Sequence, residues 1–231
     1  MMGTIDPLMI DWPPLLRSER LLLRAPQAGD GVALNQAVTQ SLDELKPWLP
    51  WAQKAPSRKQ SELSCRQMAA RFAQRSDLPL FIFARGADGG CGRLLGGTGL
   101  HRIDWSVPRF EIGYWRRSGE QGQGWISEAV CTLSRFAFDH LGARRVEIRM
   151  SSDNAKSRGV AERCGFTLEG VLRQDSLDVD GQPRDTAVYA RVRGAEEALR
   201  TRALAPSSDR PPRSAIKAAT SRAAKKRPPR R

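Results

Sequence analysis

Residues 109–130 read RFEIGYWRRSGEQGQGWISEAV, and within this stretch the spacing of the apolar side chains changes once. Apolar side chains alternate with others over Arg109–Trp115, as in a β-strand with one buried face. From Ile126 onward, apolar residues recur every three or four positions as far as Leu141, as in an amphipathic helix. The stretch therefore predicts a strand, a glycine-containing turn and a helix.

The turn between this strand and this helix is Gln121-Gly122-Gln123-Gly124. Backbone N–H groups converge at the start of a helix, where the dipole is positive, so the turn is suited to a phosphate or pyrophosphate. Glycine permits the turn dihedrals and a close approach of the ligand. A plain glycine-rich loop is the alternative. No G-K-[ST] follows the glycines, and Ser127 replaces the third glycine of a dinucleotide fingerprint, so those two phosphate motifs are excluded.

Strand and helix patterns alternate on both sides of this stretch. We expect strands at Glu19–Ala25, Leu80–Arg85, Leu94–Ile103 and Arg145–Met150, helices at Val32–Val38, Ser57–Arg75 and Ala155–Cys164, a short helix and loop at Ser41–Trp51, and a hairpin of Leu168–Val179 with Asp185–Val192. Within the second helix, Leu63, Met68 and Phe72 are the expected buried positions. The strand at 145–150 follows a crossover helix and is expected to lie parallel to the strand at 109–115. This order predicts one mixed α/β domain.

The chain has 231 residues and a net charge of +13, most of which lies near its C-terminus. Residues 200–231 hold eleven Lys or Arg against one acid, Asp209, and so supply +10 of that charge. This segment is rich in Pro, Ala and Ser and has no aromatic residue, so it buries too little apolar surface to become ordered. We expect a folded domain over residues 1–197 and a disordered basic tail over residues 198–231. A DNA-binding domain with a basic folded face is not indicated.

The four cysteines are widely spaced and form no C-x-x-C pair, which argues against a zinc ribbon or a thioredoxin-like site. Reduced thiols and a cytoplasmic location are the simplest interpretation. No apolar run approaches the roughly 20 residues of a membrane span, and Met1–Ile10 lacks the basic start of a signal peptide. We expect a soluble protein without a metal ion or a membrane partner.

Five blocks of sequence carry a family resemblance. They are ERLLLRAPQAGD (19–30), SLDELKPWLPWA (41–52), EIGYW (111–115), QGQGWISEAV (121–130) and DNAKSRGVAERCGFTLEG (153–170). Together and in this order they resemble the GNAT superfamily of acyl-CoA-dependent N-acetyltransferases, in its RimJ and RimL branch of ribosomal-protein N-terminal acetyltransferases. The resemblance implies a central, mostly antiparallel sheet that is splayed between two parallel strands and flanked by helices. It also implies that acetyl-CoA, the co-substrate, enters a V-shaped opening between the strands at 110–115 and 146–150.

The same resemblance implies which residues hold the co-substrate. The pyrophosphate would bind the backbone amides of Gln121, Gly122, Gln123, Gly124, Trp125 and Ile126. The backbone near Trp115 and Arg116 would pair with the pantetheine arm, which Asn154 would also bind. The superfamily pattern Q/R-x-x-G-x-G/A requires Gln or Arg where this chain has Gly119, and Gln121 is the candidate replacement.

Amine acetylation needs a neutral amine and a proton for the departing thiolate. Glu111 is a candidate base, because a partly apolar cleft raises the pKa of a carboxyl group. The alternative is an ordinary polar residue on the outer face of a strand. Ser157, in the sequence Asn154-Ala-Lys-Ser157, resembles the serine that protonates the thiolate in the RimJ and RimL branch. Asn154 has the alternative or additional role of a helix N-cap.

Two other side-chain types are set aside as proton donors or acceptors. Other superfamily members use a tyrosine to protonate the thiolate, but neither Tyr114 nor Tyr189 stands at that position in the sequence. His101 and His140 have no neighbouring Cys or Asp pattern and are expected to be structural.

The acceptor stays open at the level of sequence, because acceptor loops vary within one fold. The leading hypothesis is the N-terminal α-amine of a protein, including ribosomal proteins, with Trp48 and Trp51 near the acceptor mouth. One alternative is a small amine such as an amino acid, a polyamine or an antibiotic. Another is a non-catalytic module that senses acyl-CoA and contacts ribosome or RNA through the tail. The tail has a solubilising role as its own alternative, and a monomer and a homodimer are both open.

Overall fold

An eight-stranded sheet with helices on both faces makes up the computed structural model, which describes residues 6–194 of the chain. The strands are β1 (Leu16–Arg17), β2 (Leu21–Arg24), β3 (Leu78–Arg85), β4 (Cys91–Asp104), β5 (Arg109–Arg116), β6 (Arg145–Ser151), β7 (Thr167–Leu177) and β8 (Pro183–Val192). The α-helices are α1 (Gly31–Leu45), α2 (Arg58–Ala73), α3 (Trp125–Asp139) and α4 (Ala155–Arg163), and short 3₁₀ turns lie at Pro7–Met9 and Pro50–Ala52.

The strand order across the sheet is β1-β2-β3-β4-β5-β6-β8-β7. Every neighbouring pair is antiparallel except β5 and β6, which are parallel. Parallel neighbours need a crossover connection, and α3 provides it. The expected mixed α/β fold, with a mostly antiparallel sheet and a parallel pair at its centre, is confirmed.

Two apolar clusters cover the two faces of the sheet. The larger cluster joins the sheet to α3 and α4 and includes Phe110, Ile112 and Leu133, all nearly inaccessible to solvent. The smaller joins the other face to α1 and α2 through residues such as Leu34 and Cys65. Truncating a buried leucine such as Leu133 to alanine costs about 2–5 kcal/mol. The site elements therefore rest on a rigid support.

Most predicted elements occur at the expected places, with two differences near the N-terminal half. Helix α1 continues through Leu45, where a separate short helix was expected to begin at Ser41, because nothing interrupts the helical ladder before Pro47, which has no N–H. Helix α2 does not bury Leu63, whose side chain is largely exposed.

Helix α2 buries Ser61 and Cys65 in place of Leu63. Asn35 of α1 donates hydrogen bonds to the carbonyl oxygen of Pro56 and to the hydroxyl of Ser61, at 2.6 and 3.3 Å. These bonds turn the polar Ser61 face toward α1. The apolar spacing of α2 alone does not specify that rotation.

The described elements belong to one compact unit that ends at Arg193. The predicted boundary between residues 197 and 198, and the basic tail that follows it, lie outside the described residues. Within residues 6–194 no helix is both long and apolar enough to cross a membrane. All four cysteine thiols are free.

Candidate active site

The opening lies where the two parallel strands separate. Strands β5 and β6 pair at only three positions, the last of which joins Glu111 to Glu147. Beyond that point β5 continues to pair with β4 as far as Arg116, and β6 continues to pair with β8 as far as Ser151. Each strand therefore keeps its outer neighbour while the two inner edges diverge. The result is a V-shaped opening at the centre of the sheet, at the predicted place.

The glycine turn follows β5 directly and leads into α3. Gly122 and Gly124 have φ angles of 75° and 77°, in the left-handed region that favours glycine. No atom lies within 4 Å of the position that a Cβ would take at Gly122, so the dihedral angle, and not a lack of space, requires glycine there. Gly124 is the N-cap of α3 and has no side chain to bond the first-turn N–H groups. These N–H groups are directed away from the helix and are available to an anion.

Glu44 of α1 holds the turn from one side. Its carboxylate accepts hydrogen bonds from Arg116, Ser118 and Gln121, at 2.6, 2.8 and 2.8 Å. The bond from Ser118 and the charge of Arg116 lower the pKa of Glu44, and together they outweigh the effect of burial. The side chains of Arg116 and Gln121, both predicted to hold the co-substrate, are thus engaged with Glu44. These bonds engage no backbone atom of the turn itself.

Arg20 holds the turn from the other side. Its guanidinium donates to the carbonyl oxygen of Gln123 at 3.1 Å and to the carboxylate of Glu128, and it lies 4.3 Å from the ring centroid of Trp125. Burial raises the pKa of Glu128, but hydrogen bonds from Ser18 and Arg20 outweigh that effect, and the net shift is downward. The indole of Trp125 packs against the core, so this residue faces the turn with its backbone.

Ser157 and Tyr114 place two hydroxyl groups at the opening. Asn154 is the N-cap of α4, and its side-chain oxygen accepts from the N–H of Ser157 at 3.0 Å, as expected. The Ser157 hydroxyl oxygen lies 2.8 Å from the phenolic oxygen of Tyr114, which also lies 3.1 Å from the Ser157 carbonyl oxygen. Burial raises the pKa of Tyr114 well above its usual value, so this phenol stays protonated.

The contact of Tyr114 with Ser157 was not predicted from the sequence. Tyr114 stands on the same face of β5 as the buried residues Phe110 and Ile112, and that alternation suggests a core side chain only. Its contact with Ser157 joins residues 43 positions apart and depends on how α4 docks.

Glu111 lies at the narrow end of the opening. Its side chain is 19% exposed, its Oε2 atom makes no hydrogen bond, and the guanidinium of Arg102 is 3.5 Å away. Burial raises its pKa, and Arg102 opposes the shift. The expected upward shift is therefore present, and Glu111 is more buried than an ordinary polar residue on an outer strand face.

A cavity of about 560 Å³ lies on the face of β4 and β5 that packs against α1 and α2. Its lining includes Trp51, Asp77, His101, Tyr114 and Trp115. The rings of Trp51 and Trp115 meet edge to face, with centroids 6.1 Å apart. Trp51 therefore lies at the cavity, whereas Trp48 is not part of the lining.

The two histidines occupy different environments. His101 faces the cavity, and its Nδ1 atom lies 2.6 Å from a carboxylate oxygen of Asp77. His140 follows the last turn of α3 and stacks against Phe136, with ring centroids 4.9 Å apart. The expectation of a structural role suits the surroundings of His140. His101, in contrast, is part of the cavity lining.

Residues 6–194 contain no group of three or more His, Cys, Asp or Glu side chains arranged to hold a metal ion.

A family model described as an acetyltransferase (GNAT) domain matches residues 20–167. The ribosomal-protein-serine acetyltransferase of Escherichia coli is 32% identical over 175 residues, which cover 76% of this chain and 94% of that protein. YdaF of Bacillus subtilis is 31% identical over 174 residues, or 75% of this chain and 91% of that protein.

Two solved structures share the architecture. RimL, the ribosomal L7/L12 alpha-N-protein acetyltransferase, in complex with coenzyme A, superposes with a TM-score of 0.70 at 27% identity, over 77% of this chain and 97% of that one. The microcin C7 self-immunity acetyltransferase MccE, in complex with acetyl-CoA and AMP, superposes with a TM-score of 0.69 at 26% identity, over 76% of this chain and 93% of that one.

Proposed function

The chain belongs to the GNAT family of acetyltransferases, and we propose that within this family it acetylates the N-terminal α-amine of a protein, with ribosomal proteins as the first acceptor class to test. It is an N-acetyltransferase that uses acetyl-CoA as co-substrate. The α-amine assignment is supported by the likeness to the ribosomal-protein-serine acetyltransferase, which extends over 94% of that protein.

One observation carries the proposal at the level of geometry. The opening and the cavity meet on β5: Ile112–Arg116 borders the opening, and Gly113, Tyr114 and Trp115 also line the cavity. A donor in the opening and an acceptor in the cavity would thus both contact the same segment of β5. Short separation and fixed orientation are the main requirements of a transfer between two bound substrates.

Acetyl-CoA supplies an acyl group that is activated as a thioester. We assign its pyrophosphate to the backbone N–H groups of the turn, that is of Gln121, Gly122, Gln123, Gly124, Trp125 and Ile126. The pantetheine arm then runs along the backbone of Trp115 and Arg116, near the N-terminus of α4, where Asn154 is the cap. Arg20 and Glu44 keep the turn in place from its two sides.

Ser157 and Tyr114 are the groups assigned to the leaving sulfur. The Ser157 hydroxyl gives its proton to the thiolate as the C–S bond breaks. The protonated phenol of Tyr114, 2.8 Å away, stabilises the oxygen of Ser157 and can restore the proton. A general acid of this kind typically contributes about 10²–10⁴-fold in rate. Glu111, with its raised pKa and unbonded Oε2 atom, is a candidate for the proton of the amine.

The basic segment at residues 198–231 is proposed to contribute to location and not to catalysis. Its charge favours RNA, and a weak contact with ribosomes raises the concentration of ribosomal acceptors near the enzyme. Free thiols at all four cysteines suit a reducing compartment, and we propose the cytoplasm.

The acceptor class is tested with the purified full-length chain, acetyl-CoA and a panel of amines. The panel pairs each peptide that has a free N-terminus and an internal lysine with the same peptide blocked at its N-terminus, and adds amino acids, polyamines and aminoglycosides. Free thiol release gives the rate, and mass spectrometry locates the acetyl group. We expect transfer to the free N-terminus only. Transfer to blocked peptides, or to small amines at a higher kcat/KM, contradicts the α-amine assignment.

A further inference from the structure

His101 is the only imidazole in the cavity lining, and its partner Asp77 lines the same cavity. We propose that His101 is a catalytic residue that takes the proton from the acceptor amine, and that Asp77 is the positioning residue that orients it. This inference rests on the proposed function, because it assigns a base to an amine acceptor in this cavity.

The chain brings the two residues together through strand pairing. Asp77 immediately precedes β3, and the register of β3 with β4 sets Leu78 opposite Leu100, next to His101. The Asp77 carboxylate at 2.6 Å accepts the hydrogen of Nδ1. A neutral histidine with its hydrogen on Nδ1 has its lone pair on Nε2. Asp77 therefore fixes the tautomer that a base requires.

Two glycines set the position of the ring. A Cβ at Gly99 would lie 2.9 Å from Nε2 and Cε1 of His101, and a Cβ at Gly113 would lie 3.0 Å from Cδ2 and 3.2 Å from Nε2. The imidazole consequently lies over bare backbone, with its Nε2 edge toward β5. Gly113 is two positions beyond Glu111, where the pairing of β5 with β6 ends. Nε2 therefore lies against the part of β5 that is beyond its pairing with β6.

His101 is better placed than Glu111 to meet the acceptor. His101 lines the cavity, whereas Glu111 is not part of its lining. The Glu111 carboxylate instead lies 3.5 Å from the guanidinium of Arg102. Arg102 has a φ of 45° and lies in the irregular segment of β4 between His101 and Asp104. The Glu111 carboxylate thus already has a cationic partner, which opposes the upward shift that burial gives to its pKa.

Several charged groups act on His101 from the elements around it. Asp77 contacts it directly, Arg71 of α2 lies 3.5 Å from the other oxygen of Asp77, and Glu111 is the cross-strand partner of His101. The remaining charged groups are Arg102, next in the chain, and Lys54 in the cavity lining. Two carboxylates and three cations therefore surround His101, and Asp77 is its direct partner.

Proton transfer to His101 starts the proposed reaction. Nε2 accepts a proton from the ammonium form of the acceptor. The freed lone pair on nitrogen forms the new C–N bond, and the C–S bond breaks with its electron pair on sulfur. The nitrogen loses a second proton as the amide forms, and this proton passes to the oxygen of Ser157 in place of the one that Ser157 gives to the sulfur. The proton on His101 passes to solvent, to which the His101 side chain is 35% exposed.

The test compares full-length His101→Gln and Asp77→Asn proteins with wild type, with His140→Gln as the matched control for loss of a histidine. We expect kcat of His101→Gln to fall about 10²–10⁴-fold at pH 7, with an unchanged Kd for CoA. The deficit should shrink as the pH rises, because more of the amine is then neutral. Asp77→Asn should also lower kcat, since a donating amide moves the ring hydrogen to Nε2. His140→Gln should behave as wild type.

Three results would overturn the assignment while wild type remains active. One is a His101→Gln enzyme with the wild-type kcat and pH profile. Another is a change confined to the KM of the acceptor, which indicates binding alone. The third is a dependence of kcat on pH whose fall at acid pH disappears in Glu111→Gln but remains in His101→Gln. If His101→Gln does not fold, Asp77→Asn decides by the same criteria. A wild-type enzyme that acetylates no amine refutes the proposed function as well, so the two failures are distinct.

Discussion

The hydroxyl oxygens of Tyr114 and Ser157 lie 2.8 Å apart although the two residues belong to opposite sides of the opening. Tyr114 is part of β5, and Ser157 lies in the first turn of α4, which follows β6. The pair therefore spans the region where the sulfur of the co-substrate is proposed to lie. It also gives Ser157 a second proton source that the sequence motif alone does not include.

We expect Ser157→Ala to lower kcat by about 10²-fold or more while changing the KM for acetyl-CoA little, because the hydroxyl acts on charge that develops in the transition state. Tyr114→Phe should lower kcat less. The double variant should be no slower than Ser157→Ala, since Tyr114 is proposed to act through Ser157. Steady-state kinetics of the three proteins provide the measurement. Additive losses would show that the hydroxyl groups act independently.

Gly124→Asp should abolish CoA binding, because it adds a negative charge where the diphosphate is proposed to lie. Gly142→Asp is the matched control: Gly142 also has a positive φ, 66°, but follows the other end of α3. Both variants introduce similar backbone strain, of about 1–2 kcal/mol. Calorimetry of the folded proteins should show binding in the control only. Equal affinity in both would place the diphosphate elsewhere.

Glu111→Gln should raise the thermal stability near pH 7, because burial raises the pKa of Glu111 and makes its charged form unfavourable. A carboxyl group with a raised pKa stabilises the fold at low pH, and this contribution is lost as the pH rises through the folded pKa. The gain from Gln should therefore disappear in acid. A change of about 1 kcal/mol moves Tm by about 2–4 °C in a domain of this size. Calorimetric scans at pH 5 and pH 7.5 test the difference.

Glu128→Gln is the comparison with the opposite sign. Hydrogen bonds from Ser18 and Arg20 give Glu128 a net lowered pKa, so its charged form stabilises the fold above the unfolded pKa. That contribution is lost as the pH falls through the lowered folded pKa. The Gln variant should be less stable than wild type at pH 7.5, and the gap should narrow in acid. Changes of Tm in the same direction in Glu111→Gln and Glu128→Gln at pH 7.5 would contradict the two pKa assignments.

A chain that ends at residue 197 should fold, bind CoA and acetylate free peptides as the full chain does. It should lose the salt-dependent part of any affinity for RNA or ribosomes, because each Lys or Arg that displaces a counterion steepens the dependence on salt. Co-sedimentation with ribosomes at low and high salt gives the comparison. Equal co-sedimentation of both chains indicates a solubilising segment, and loss of folding would place the domain boundary further toward the C-terminus.

The sequence was a good guide where a feature depends on neighbours in the chain. The alternation over Arg109–Trp115, the αL glycines of the turn and the N-cap at Asn154 are local, and the structure has all three. The upward pKa shift of Glu111 was expected from a partly apolar cleft. The order of the elements predicted the parallel strand, and the family resemblance added the V-shaped opening.

Features that depend on the docking of distant segments could not be read from the sequence. Asp77 meets His101 across 24 residues, and Glu44 meets Gln121 across 77. Neither pair produces a periodic pattern in the sequence, because each residue taken alone is an ordinary polar position. The register of β3 with β4 and the packing of α1 against the turn bring them together.

The short pairing of β5 with β6 makes the co-substrate part of the architecture. Past Glu111 and Glu147 the two inner edges have backbone groups without a strand partner, and such groups need water or a ligand. An amide-containing arm bound at the proposed place between them would replace a missing length of strand. The enzyme should then unfold at a temperature that rises with the concentration of acetyl-CoA, by mass action on the native state. Its lifetime against proteolysis would in that way follow the supply of acetyl groups.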